Sequence, residues 1–160
     1  MIEKGIELQA MHGYCDPERL DDNFSMQRPN ALEVSVTKLL LVMCGGSLGA
    51  ASRYGVGLLA ARLWGANFPW GTLTVNLVGC FLIGLLFALA DRVRLLTPEM
   101  RLFLITGYLG ALTTFSSFAL ETVNAGRVGL MLQPVVNILI NNIGGLALTF
   151  FGMWLGSLHR

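Results

Sequence analysis

Gly107-Tyr-Leu-Gly-Ala-Leu-Thr-Thr-Phe-Ser-Ser-Phe118 sits inside a hydrophobic run long enough to cross a bilayer, yet it carries two glycines, four hydroxyl side chains from Thr and Ser, and two phenylalanines. A helix that faces lipid has no use for that mixture. In hydrocarbon every backbone N–H and C=O must be satisfied, so interrupted helix is tolerated only where it is buried in protein or lines a wet path. The glycines predict a break, and the hydroxyls predict a place for a small polar solute or ion within the membrane.

Composition agrees with a membrane protein. Of 160 residues, 54% are hydrophobic and 13% charged, against about 25% charged in a soluble domain. A formal net charge of +1 excludes the basic surface that nucleic acid requires. Seven of the ten acidic residues precede Lys38, and only Asp91, Glu99 and Glu121 follow it. Cys15, Cys44 and Cys80 show no metal-ligand spacing, which argues against a zinc site or a disulfide framework. Residues 1–37 are polar with no apolar face and no signal-peptide core. They read as a mobile tail or an upstream extension of the reading frame, with Met26 as an alternative start. Residues 38–160 read as the membrane domain.

Four apolar segments fill that domain, at about 39–64, 68–90, 100–123 and 128–158. Each can span ~30 Å of hydrocarbon, which takes about 20 helical residues. The punctuation between them is Gly65-Ala-Asn-Phe-Pro69, then Asp91-Arg-Val-Arg94 with Thr97-Pro98-Glu99, then Asn124-Ala-Gly-Arg127. Connections this short make successive helices antiparallel neighbours. Arg28, Lys38, Arg92, Arg94, Arg101 and Arg160 fall on the side of the termini, and Arg62 and Arg127 on the other, a bias that favours cytoplasmic termini. Gly45, Gly46, Gly49 and Ala50, then Gly79 and Gly84, then Gly144, Gly145, Gly152 and Gly156 recur at spacings suited to close helix contact. One thin bundle offers little interior, so an oligomer is expected.

Polar residues cluster within the apolar segments. Thr72 and Asn76 lie four apart on the second, as do Asn137 and Asn141 on the fourth, with Asn142 beside them. Such side chains either bond other helices or serve a permeant species. Amides and hydroxyls are neutral donors, and a Phe ring has a positive edge. Together they suit a small anion, because they replace part of its water shell without a fixed charge to trap it. Arg53, the charge within the first span, either draws anions into a vestibule or pairs with Glu121.

These residues resemble the Fluc/CrcB fluoride channel family. Gly45-Gly-Ser-Leu-Gly-Ala-Ala-Ser-Arg-Tyr54 is similar to its first-span signature and Gly71-Thr-Leu-Thr-Val-Asn-Leu-Val-Gly79 to its second; the Gly107–Phe118 run with Glu121 is the most specific. The resemblance implies an all-α membrane fold of four transmembrane helices, with the third broken mid-membrane. It also implies a dual-topology homodimer of antiparallel subunits with two fluoride pores. On it, Asn76 is the pore asparagine and Phe115 and Phe118 turn ring edges to fluoride. Ser116 and Thr114 add hydroxyls, Thr72 stands near the pore entrance, and Arg53 lies near the vestibule. Gly110 and Thr113 offer backbone carbonyls to a structural Na⁺ shared by both subunits. Asn137 and Asn141 depart from the family, many of whose members carry hydroxyls there. The Lys/Arg bias also sits awkwardly with insertion in both orientations.

The expected activity is passive export of fluoride across the plasma membrane, conferring fluoride resistance. The chain has neither a phosphate-binding GxxxxGK[ST] run nor a nucleophile–base pair, so it does not read as an enzyme. Two rivals stand beside this reading. A small proton-coupled multidrug exporter needs a carboxylate deep in the membrane; Glu121, the one acidic residue within these segments, lies near an end. A non-transporting membrane scaffold predicts no anion flux at all.

Overall fold

A computed structural model describes residues 35–93, 96–129 and 131–158. The expected tail and its alternative start at Met26 fall almost wholly outside the described residues. The described chain is helical, and four of its segments are long and apolar enough to cross a membrane: Val36–Trp64, Trp70–Ala90, Pro98–Arg127 and Leu132–Leu158.

Local chemistry sets the ends of these spans. The first, Val36–Trp64, has no interior proline and stops at Gly65, whose φ of 78° is the left-handed conformation that closes a helix. The Gly65 amide still reaches back to the Ala61 carbonyl at 3.0 Å. Pro69 precedes the second helix, Trp70–Val93. Trp64 and Phe68 both pack on Trp70, with centroids 6.1 and 4.7 Å away, an aromatic cluster of the kind that anchors helix ends at a membrane surface. The third span starts with Thr97 as N-cap, accepting from the Met100 amide, and Pro98 in the first turn.

The third span is irregular. Leu102–Leu109 winds as a π-helix, Gly110–Leu112 returns to α, and Thr113 and Thr114 are extended (φ −80°, ψ 154° and φ −152°, ψ 120°). Helix resumes over Phe115–Arg127. The sequence predicts the interruption at the glycines, but Gly110 is ordinary right-handed helix and the two threonines take the extended conformation. Glycine serves a different need here: a Cβ on Gly107 would lie 2.9 Å from the Val42 carbonyl oxygen. The third helix also runs through Asn124–Arg127, which the sequence assigns to a connection. The turn follows it, where Gly129 supplies the positive φ of 82°. The fourth span comprises Leu132–Leu139, a π-helical Ile140–Gly144, and Gly145–Leu158.

Close backbone approach holds the spans in two pairs. The first packs on the third where Cβ atoms on Gly45 and Gly49 would strike the carbonyls of Phe103 and Tyr108. The second packs on the fourth where Gly84 meets the Thr149 carbonyl and Gly152 the Phe81 carbonyl. Without a hydrophobic drive between helices in lipid, such contact is the main source of attraction. A small apolar cluster of Val75, Leu109 and Leu112, flanked by Val56, Leu82, Leu86 and Tyr108, lies beside the break.

Candidate functional site: a polar groove at the helix break

The extended Thr113–Thr114 segment opens a groove of about 370 Å³ between the second, third and fourth spans. Asn76, Gly110, Thr113, Thr114, Phe115, Phe118 and Asn141 line it. Seven of the residues that the sequence singles out thus share one wall. The groove is possible because the second span carries Gly79 opposite the break, where a Cβ would collide with the Thr113 methyl.

Asn76 grips the break from the side. Its Oδ1 accepts the Thr114 amide at 2.9 Å, and its Nδ2 donates to the Thr114 carbonyl at 3.2 Å. A backbone N–H can only donate, so this pairing fixes which way the Asn76 amide points. The second Nδ2 hydrogen goes to Asn141 Oδ1 at 3.0 Å. Asn141 Nδ2 in turn donates to Asn137, at 2.9 Å to Oδ1 and 3.0 Å to the carbonyl. Asn137, only 2% exposed, donates to Thr122 Oγ1 at 2.8 Å. Thr122 donates to the Phe118 carbonyl at 2.7 Å. Both amide hydrogens of Asn76 and of Asn141 are therefore engaged within the protein.

Thr114 caps the second half of the span. Its hydroxyl oxygen accepts the Ser117 amide at 3.3 Å and lies 3.3 Å from Ser116 Oγ. Phe115 and Phe118 follow one turn apart with centroids 5.6 Å from each other. Phe118 is buried at 7% exposure, whereas Phe115 is 77% exposed on the single subunit. The break also redirects hydrogen bonds. In an unbroken helix the amides of Thr114 and Ser117 would serve the carbonyls of Gly110 and Thr113. They are turned instead to Asn76 Oδ1 and Thr114 Oγ1.

Thr72 and Arg53 lie away from this groove's lining. Thr72 donates its hydroxyl to Glu121 Oε1 at 2.8 Å, and Glu121 Oε2 is buried without a partner. The carboxylate is thus not paired with half-buried Arg53, and that alternative from the sequence is not formed. Glu121 borders a second, open cleft of about 770 Å³ with Asn67, Pro69, Asn124 and Gln133. Sequence reasoning missed Thr122. Its only sequence signal is its place four residues beyond Phe118, on the same helix face.

Four membrane-capable helices around a groove with no charged side chain in its lining define a multi-pass membrane protein that handles a small solute. The family model described as CrcB-like protein, Camphor Resistance (CrcB), matches residues 40–153. The chain belongs to this family. A relative from Agrobacterium fabrum named fluoride-specific ion channel FluC is 48% identical over 118 residues, covering 74% of this chain and 94% of its own length. A relative of the same name from Legionella pneumophila is 48% identical over 118 residues, covering 73% of this chain and 87% of its own. Another, from Dehalococcoides mccartyi, is 43% identical over 123 residues, covering 77% and 95%.

Proposed function

We infer that this chain is a fluoride-selective channel of the plasma membrane. Hydrofluoric acid, being a weak acid, enters cells neutral and dissociates in the less acidic cytoplasm. The trapped anion leaves passively through the channel, driven outward by a membrane potential worth about 2.3 kcal/mol per charge per 100 mV. The observation that carries this reading is the Phe115–Phe118 pair beside the break, in a groove lined by amides and hydroxyls with no charged side chain. Ring edges and neutral donors substitute for water around a small anion without binding it too tightly to leave. Phe115, Phe118, Ser116 and Thr114 form the fluoride path. Asn76, Asn141 and Asn137 flank it, Thr72 stands at the entrance above Glu121, and Arg53 faces the vestibule.

The working unit is a homodimer of two antiparallel copies inserted in opposite orientations, with the third helix broken at mid-membrane. Support comes from what one subunit leaves uncovered. Phe115 is 77% exposed, and Gly110 is exposed at a break where carbonyls have lost their helical amides. Lipid cannot satisfy such groups, and a second copy can. Those carbonyls also suit a cation. Gly110 and Thr113 both line the groove and present oxygens that no helical amide takes, the hard donor set that a Na⁺ ion favours. When bound, Na⁺ supplies positive charge that holds carbonyl dipoles from both subunits together.

Fluoride efflux from liposomes holding the purified protein tests this function. Rapid loss of fluoride with retention of chloride is expected. Liposomes that keep both ions would leave the scaffold as the better description, and proton-linked cation transport would favour the exporter.

A further inference from the structure

The hydrogen bonds around the break form a closed circuit with one direction. The Thr114 amide donates to Asn76, Asn76 to Asn141, Asn141 to Asn137, Asn137 to Thr122, and Thr122 to the Phe118 carbonyl. The circuit leaves the third span at its break, crosses the second and fourth, and returns to the third one turn later. Its direction is not arbitrary. The Thr114 N–H fixes the orientation of the Asn76 amide, which requires an oxygen from Asn141. Asn141 must then turn its nitrogen to Asn137, whose oxygen receives it and whose nitrogen faces Thr122. Every link depends on the one before it, and the two ends bracket Phe115 and Phe118.

We propose that this circuit holds the break and aims the two rings, which makes Thr122, Asn137 and Asn141 positioning residues rather than ligands of the anion. The inference rests on the fluoride-channel reading for its consequence on flux, though not for its geometry. Thr122 is the informative member. It closes the circuit but does not line the groove, so a passing ion has no reason to touch it. The fourth-span asparagines are likewise committed inward. Both Asn141 hydrogens go to Asn137, and Asn137 is buried.

The test is Thr122→Val, which keeps the shape and removes both bonds, with Thr122→Ser as the variant that keeps the hydroxyl. Two quantities are read on the purified full chain in liposomes: fluoride efflux, and hydrogen–deuterium exchange of the peptide holding residues 113–118. Loss of one net hydrogen bond corresponds to about a three- to tenfold rise in local opening. Thr122→Val is expected to raise exchange at 113–118 by that factor and to slow efflux severalfold, and Thr122→Ser to restore both. Asn137→Ala cuts the same link from the other side and is read in the same way, so the outcome does not depend on one variant folding. Unchanged exchange in the valine and alanine variants overturns the proposal, whatever happens to flux. Wild-type protein that passes no fluoride would instead refute the channel reading and leave the exchange result standing.

Discussion

Phe115 and Phe118 share a helix face but not an environment, and the difference separates two effects of changing them. Phe118 is packed inside the subunit and Phe115 projects from it. Phe118→Ile is expected to lower thermal stability by about 1 kcal/mol, as a near volume-conserving change in a packed site. Phe115→Ile should leave the stability of the subunit's own fold unchanged. Both remove an aromatic edge, so both should slow fluoride efflux by a few-fold to about tenfold, measured against chloride. Thr72 supports a further expectation. Thr72→Val takes away the one partner of Glu121, whose other oxygen already has none. A buried carboxyl left in that state costs about 1–3 kcal/mol, seen as a lower melting temperature in detergent that Thr72→Ser should recover. The sequence made the ring pair and the hydroxyls legible because residue type and spacing carry them. It could not show that the amides spend their hydrogens on one another. That depends on which helices become neighbours, and spacing within one helix does not encode it.

At the scale of elements, spans were readable and their irregularities were not. Hydropathy and turn residues locate four helices, and small residues mark their contacts. The π-helical stretches at Leu102–Leu109 and Ile140–Gly144 have no compositional signature. The break itself falls on Thr113 and Thr114, two residues after the glycine expected to cause it. Glycine at 107 is required by the approach of Val42, and the extended threonines are held by Asn76 across the interface. Tertiary contact has thus overridden local propensity. Gly84 and Gly152 yield the matching prediction. An alanine at either drives a Cβ into a backbone carbonyl of the opposite helix, and overpacking of that kind costs about 1–3 kcal/mol. Thermal unfolding should register the loss, with the fluoride-to-chloride ratio of the surviving protein unchanged, because neither residue lines the groove.

The whole molecule shows large apolar side chains over much of its surface, Leu48, Leu120, Ile143 and Phe150 among them, and none of its described large side chains is fully enclosed. Lipid covers much of this surface, and a second copy explains the polar remainder. Chemical cross-linking of the protein in detergent should give a species of twice 17.4 kDa, and labelling of Cys44, which is exposed, should show molecules in both orientations in native membranes. Exchange of Na⁺ for a bulky organic cation should weaken that dimer and slow efflux together. The subunit's plan was legible through residue patterns and their family likeness; pairing between copies leaves no periodic mark in one chain.

The wide turn at Leu102–Leu109 sets the bearing of everything that follows it. Ordinary α-winding advances about 100° per residue. Deleting a single amino acid there would let the backbone relax into a plainer coil, yet swing both phenylalanines about a quarter-circle away from their present heading. Length in this stretch is therefore guarded more strictly than composition, and an in-frame loss of one codon should silence conduction where many substitutions would pass unnoticed.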